Sequence, residues 1–336
     1  MKVLFIGGTG LISIACSELA LQRGMELTLL NRSASTKHSL PNGAKQLLGD
    51  IHGVEAQLAE MLTDQHFDVV VDWIAFTAED VERDIRLFSG KTEQFIFISS
   101  ASAYQKPPTH YLITEDTPLE NPFWQYSRDK IAAEERLLAE YRQNGFPVTI
   151  VRPSLTYGLS QIPLILGSWA CPYTIVDRIK RGKPVIVPGD GTSLWVLTWN
   201  GDFAKGFVGL FGRPEALGEA FHITSDEVLT WNQIYAELGR AIGVEPKIVH
   251  IPSDLIAMYS EKATGSLIGD KANSAVFDNS KIKRLVPDFK CEIPWAEGVR
   301  RALAWHEADP ARQAIDEESN QLWDTILAAY QRAFPA

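Results

Sequence analysis

The sequence predicts an α/β fold: a doubly wound parallel sheet followed by a smaller mixed α/β lobe. Three observations predict it. Short apolar runs alternate with helix-patterned segments through the first half of the chain. A glycine-rich turn separates the first apolar run from the first helical segment. Dense Pro and Gly punctuation, as in Gly182-Lys183-Pro184 and Pro188-Gly189-Asp190-Gly191, begins only after Arg152-Pro153.

The elements follow in order. Lys2–Ile6 is a short apolar run, the pattern of a strand buried on both faces. Leu11–Gln22 is helical by composition and closes at Gly24. Glu26–Leu30 reads as a second buried strand and Lys45–Leu48 as a third. Val54–Leu62 has helical spacing. Asp68–Val71, with its consecutive valines, is a fourth strand, and Ala78–Phe88 a helix preceded by Thr77. Gln94–Ile98 is a fifth strand; Gln125–Gln143 is a long helix stopped by Asn144-Gly145, and Val148–Val151 a sixth strand. Beyond it, Thr230 and Gln233 form a capping box ahead of Ile234–Ile242. Gly201–Leu210 is expected to return to the first lobe as a helix, and the stretch from Ala311 to be a helix or helical pair. Residues 1–165 are therefore expected to form a dinucleotide-binding domain, with 192–218 packing back onto it. Residues 166–336 are expected to form a substrate lobe with C-terminal helices.

Composition narrows the function. Of 336 residues, 45% are hydrophobic and 22% charged, enough apolar material for a full core. A net charge of −10 argues against a salt-driven grip on nucleic-acid backbone. The three cysteines, Cys16, Cys171 and Cys291, are odd in number and widely spaced, so free thiols are expected. The run Val3–Ile6 is too short for a signal core, and no run of about 18 apolar residues exists. A cytoplasmic location and no membrane span are expected. The seven histidines show no H-E-x-x-H grouping, so no metal site is expected. His222, beside Phe221, reads as a satisfied buried histidine.

Gly7-Gly8-Thr9-Gly10-Leu11-Ile12-Ser13 lies between a strand and a helix, which is the context that gives such a turn meaning. Gly7 permits the tight turn and Gly10 a close approach of backbone to a pyrophosphate. The amides around Thr9, Leu11 and Ile12 open the helix, and Ser13 stands where a third glycine is usual. This is a Rossmann turn for NAD or NADP. The second strand ends in Asn31 and Arg32, with no carboxylate for a ribose 2′-hydroxyl, so NADP is favoured over NAD. Asp50, with Ile51 beside it, is placed to receive the adenine amino group.

Tyr126 and Lys130 stand at i and i+4, on one helix face. An ammonium beside a phenol favours the phenolate. Lys130 is therefore expected to pull the Tyr126 pKa from about 10 towards neutrality, making Tyr126 an acid/base. Upstream, Ser99-Ser100-Ala101-Ser102-Ala103-Tyr104 begins where the fifth strand reaches the carboxyl edge of the sheet.

Taken with Arg152-Pro153-Ser154-Leu155-Thr156-Tyr157-Gly158, these motifs resemble the extended short-chain dehydrogenases/reductases, the NAD-dependent epimerase/dehydratase family. Ser193–Phe203 and Asp278-Asn279-Ser280-Lys281 resemble an atypical branch that includes chloroplast stem-loop RNA-binding proteins. The resemblance implies that Tyr126 exchanges a proton with a substrate hydroxyl, that Lys130 holds the nicotinamide ribose, and that Ser100 bonds the reacting oxygen. It also implies that Ala75 and Pro153 flank the cofactor. It implies a small-molecule substrate of the sugar or sugar-nucleotide kind, and a homodimer through a helix pair including Gln125–Gln143. Leu155 stands where nucleotide-sugar enzymes of the family carry Asn, a departure that bears on the substrate. An enzyme acting at a carbinol carbon is the reading. The alternative is a non-catalytic Rossmann protein that senses a dinucleotide or binds RNA.

Overall fold

A computed structural model of the chain describes residues 1–32 and 39–333. Its centre is a seven-stranded sheet with every neighbouring pair parallel. The strands are β1 (Lys2–Ile6), β2 (Glu26–Asn31), β3 (Lys45–Leu48), β4 (Phe67–Asp72), β5 (Thr92–Ile98), β6 (Val148–Pro153) and β7 (Ala220–Ile223). Their spatial order is β7-β6-β5-β4-β1-β2-β3. The order reverses between β4 and β1, and open α/β sheets bind ligands outside the carboxyl ends of the strands at that reversal. The strands are apolar runs because helices cover both faces. Val3–Ile6 and Val69–Val71 are fully buried, divided between two cores on opposite sides of the sheet.

Helix α1 (Ser13–Gln22) starts two residues later than the periodicity predicts, because Gly7–Ile12 is consumed by the turn. Gly7 has φ +81°, which only glycine adopts without strain. Gly8 is equally constrained by space, since a Cβ there would sit 2.5 Å from Leu29 Cδ2. Helix α2 (Glu55–Met61) is short. Helix α3 (Ala78–Phe88) begins with a reciprocal capping box between Thr77 and Asp80. Helix α4 (Gln125–Asn144) ends at Gly145, left-handed at φ +73°. Helix α5 (Asn200–Gly209) packs against α1, and Asn200 Nδ2 donates to Leu11 O at 2.8 Å, tying it to the glycine turn. The edge strand β7 comes from beyond this helix, a non-local addition with no signal in its four residues.

The remaining chain builds its own core around Tyr157, Trp195, Trp231 and Trp295. Trp195 and Trp231 stack at 5.4 Å between ring centres. Helix α6 (Trp231–Ile242) carries the Thr230/Gln233 capping box and packs against α7 (Trp295–Glu307), a helix the sequence pattern did not single out. Helix α8 (Glu317–Ala333) closes the described chain. The cysteines are free thiols; Cys16 is buried and Cys171 and Cys291 half-buried. Among the described residues no helix is long and apolar enough to cross a membrane.

One buried ion pair sets α4 against the sheet. Arg152, next to last in β6, donates from Nε and Nη2 to Glu134 of α4 at 2.9 and 2.6 Å, and both side chains are almost wholly buried. Removing one partner strands the other charge in a low-dielectric interior. Glu134→Ala should therefore destabilise the fold by about 3–5 kcal/mol, read as a lower denaturant midpoint. A loss under 1 kcal/mol, roughly the worth of a solvated pair, would mean that α4 is held by packing alone.

Candidate active site

A cavity of about 1480 Å³ opens over the carboxyl ends of the central strands. That exceeds the roughly 300–1,000 Å³ of a single drug-sized ligand, so a dinucleotide and a second small molecule can share it. One wall is the glycine turn, with Gly7, Gly10, Leu11, Ile12 and Ser13 all facing in. Another is Ser100, Tyr126, Lys130 and Pro153. The fold thus brings together most of the residues the sequence singled out, from four separate stretches.

The turn is self-supported. Ser13 Oγ accepts from Gly10 N at 2.8 Å and donates to Gly7 O at 3.1 Å, while Ser17 Oγ donates to Gly8 O at 2.9 Å. Serine in place of the third glycine therefore staples the turn. No side chain caps α1; Ile14 N donates to Gly10 O at 3.0 Å, and the Leu11 and Ile12 amides ahead of it are left for an anion. Trp73 Nε1 and Ser99 Oγ also line the cavity and are buried without a hydrogen-bond partner among the described residues. Uncapped helix amides, a glycine cradle and unpaired donors fit a phosphate-bearing dinucleotide.

Other expected contacts lie off the cavity wall. Thr9 is half-buried at the turn, Asn31 ends β2, and Arg32 is exposed just beyond it. Asp50 Oδ1 accepts from His52 N at 3.0 Å, so the carboxylate closes its own turn. Ile51 is buried in the core with Leu4, Ile6 and Leu30. Ala75 is buried, and its carbonyl is spent on Lys130.

Lys130 is the pivot. Its Nζ donates to Ala75 O and to Ile98 O, both at 2.7 Å, and lies 4.5 Å from the ring centre of Phe76. Burial lowers its pKa to about 8, with the nearby Asp72 charge opposing. Asp72 Oδ1 in turn accepts from Ile74 N and Ala75 N at 2.6 and 2.8 Å, orienting the carbonyl that Lys130 grips. Behind it Asp84 is fully buried, and burial together with the Asp72 charge pushes its carboxyl well up.

Tyr126 corrects the expectation. Burial raises its pKa; the nearby Ser100 hydroxyl offsets this, and the Asp270 charge adds to the rise. Lys130 does not pull the phenol towards neutrality here, because its ammonium is directed at two carbonyls and sits 5.8 Å from the Tyr126 ring centre. The hydroxyl that faces the phenol is Ser100, which continues through Ser102 (Oγ–Oγ 2.9 Å) to Ser127 (Oγ–Oγ 2.8 Å). Asn121 Nδ2 fixes this row by donating to Ser102 O at 2.8 Å and to Gly269 O at 2.7 Å. Sequence reasoning missed Asn121 and Ser127. Ser127 had a local signal, its place next to Tyr126; Asn121 had none, since its second partner lies 148 residues away.

A model of the NAD dependent epimerase/dehydratase family matches residues 3–224. The chain belongs to that family. The chloroplast stem-loop binding protein of 41 kDa b from Arabidopsis thaliana is 29% identical over 262 residues, covering 74% of this chain and 65% of that one. The chain thus spans about two-thirds of that relative's length. A 2′-dehydrokanamycin reductase from Streptomyces kanamyceticus is 24% identical over 86% of this chain and 80% of its own. Among solved structures, a UDP-glucuronic acid 4-epimerase from Bacillus cereus in complex with NAD superposes with a TM-score of 0.70 at 19% identity, over 93% of this chain and all of that one. That likeness shows the shared fold.

A second buried network braces the site from behind. Tyr104 Oη lies 3.0 Å from His222 Nδ1, His222 Nε2 lies 2.8 Å from Asp278 O, and the Arg152 guanidinium stacks 4.9 Å from the Tyr104 ring centre. Burial pushes the His222 pKa down to about 4, so the ring is neutral at pH 7. Unfolded histidine titrates near 6.5. Between those values the unfolded chain binds the extra proton, so this imidazole's share of stability is intact above about 6.5 and is lost as the pH falls to about 4. Wild type should lose up to about 3 kcal/mol against His222→Gln over that range. Parallel stability curves by denaturant unfolding would clear His222 of that role. Glu115, whose carboxyl burial raises, is present in both proteins, so its opposite contribution drops out of the comparison.

Proposed function

We propose that this chain is an NAD(P)-dependent enzyme that oxidises, reduces or epimerises a carbinol carbon of a sugar or sugar-nucleotide-like substrate, with Tyr126 as acid/base. The observation that carries the reading is that Tyr126, Ser100 and Lys130 share one wall of the cavity that holds the glycine turn. Bound nicotinamide supplies or accepts the hydride in such chemistry. Tyr126 Oη gives a proton to, or takes one from, the substrate oxygen. The Ser100 hydroxyl stabilises the phenolate left behind, and the Ser102 and Ser127 hydroxyls hold Ser100 in place. Lys130 has three donors and uses two on Ala75 and Ile98, leaving one for a ribose hydroxyl. The Gly7–Ser13 turn and the uncapped α1 amides receive the pyrophosphate.

Family membership supports a nicotinamide dinucleotide. Preference for NADP rests on Arg32 and on the missing carboxylate at Asn31. The relative named for stem-loop binding keeps an RNA-binding reading in view. Against it stand the net charge of −10 and the complete Tyr126, Lys130 and Ser100 set, which a pure binder does not need.

Tyr126→Phe should lower turnover by about 10²–10⁴-fold while dinucleotide affinity, measured by calorimetry, is unchanged. Unimpaired turnover would sink the mechanism. Arg32→Ala should weaken NADP about tenfold, roughly one good ionic contact, and leave NAD alone. Equal loss for both cofactors would assign Arg32 to the fold rather than to the 2′-phosphate.

A further inference from the structure

Apart from the glycine turn and Tyr126, the cavity wall holds an uneven charge. Lys106, in the loop after β5, and Lys271, at the end of a π-helical segment (Thr264–Lys271), are both buried, at 3% and 7% exposure. Their ammonium groups converge on one carboxylate, Asp270, at 3.5 and 3.3 Å. Among the described residues no other carboxylate pairs with either lysine. Two buried cations and one buried anion leave an excess positive charge facing the cavity. A buried charge without a partner is costly, so a wall that keeps one is arranged for an incoming anion.

Three further observations point to a ligand there. Lys271 Nζ lies 5.8 Å from the Trp124 ring centre and 6.0 Å from that of Trp195. Trp195 lines the cavity at 2% exposure, and its Nε1 has no hydrogen-bond partner among the described residues. The π-helical turn that presents Asp270 and Lys271 is clamped on the active-site loop. A Cβ at Gly265 would lie 2.3 Å from Trp124 Cδ1, and Gly269 O accepts from Asn121. Such turns are rare and recur at functional sites. The other charged groups on the cavity wall do not cancel the excess. Lys130 is cationic and Asp316 is spent on Ser319, while Glu261, Lys262 and Glu318 are exposed at the mouth.

We propose that Lys106 and Lys271, with the Trp195 indole N–H, seat an oxyanion carried by the substrate. The Trp124 ring packs 4.9 Å from that of Tyr126 and 5.8 Å from Lys271 Nζ, so the anion lies within about two ring widths of the acid/base. The charged group is therefore on the reacting sugar ring or directly attached to it, as a carboxylate or a phosphate ester. This deepens the proposed function and rests on it for the identity of the reacting centre.

The test uses the full chain saturated with dinucleotide, so that the glycine turn cannot take up the probe, and calorimetric titration with inorganic phosphate. Wild type should bind it. Lys106→Gln and Lys271→Gln should each weaken binding about tenfold or more, and Asp270→Asn should strengthen it about tenfold by removing the competing carboxylate. The gain in Asp270→Asn guards against variants that merely misfold. Glucuronate, glucose 6-phosphate and glucose then separate the sources: a carboxylate or phosphate ester is selected over the neutral sugar. Absence of phosphate binding, or equal affinity in all four proteins, overturns the proposal. Dinucleotide affinity is measured in the same samples. Its absence in wild type would defeat the enzyme reading instead, whereas dinucleotide binding without anion binding would defeat only this inference.

Discussion

The Lys130 ammonium is buried between the carbonyls of Ala75, in the loop that follows β4, and Ile98, the last residue of β5, and the site is organised around that contact. A buried ammonium needs acceptors, and the carboxyl edge of the sheet offers the carbonyl that ends β5 and one from the loop after β4. Lys130 meets that demand at one place only, which fixes the rotation of α4 about its axis. Four residues earlier, Tyr126 is then set beside Ser100, and Ser127 beside Ser102. The Arg152–Glu134 pair locks the next turn of the same helix to β6, so α4 is fixed at two heights by buried charge.

That arrangement explains why the phenol is not acidified in the protein alone. Charge acts on charge through distance and desolvation. Lys130 spends its ammonium on carbonyls, so burial of Tyr126 dominates and the Ser100 hydroxyl is the group that opposes it. The i, i+4 spacing put the two side chains on one face, as the helix demands. The direction of the ammonium within that face depended on acceptors from the loop after β4 and the end of β5, which no local pattern encodes.

The later part of the chain joins the site through Asn121, which ties the serine row to the π-helical segment by two hydrogen bonds. Trp124 fits against Gly265, a contact that no larger residue there would allow. The cavity is therefore a joint construction. The sheet supplies the turn, the serines and the tyrosine, and the later chain supplies Asp270, Lys271 and the tryptophans.

Much of the Rossmann half was legible because its physics is local. Parallel strands buried on both faces must be continuous apolar runs, a turn at φ +81° must be glycine, and Thr77 with Asp80 caps a helix through contacts three residues apart. The sequence by itself thus determined the strand and helix alternation, the dinucleotide turn, and Tyr126 and Lys130 as the residues to watch. It could not show β7, whose four residues become a strand only by pairing with β6, nor α7, nor the π-helical segment. It marked Ile51 and Asp50 as cofactor contacts; in the structure the Ile51 side chain lies in the core and the Asp50 carboxylate closes a tight turn. Only the tertiary structure decided where the Lys130 charge points and that Lys106 and Lys271 share one carboxylate. Both depend on groups brought together from 32 to 165 residues apart, and the electrostatics of a site follow distance in space, not along the chain.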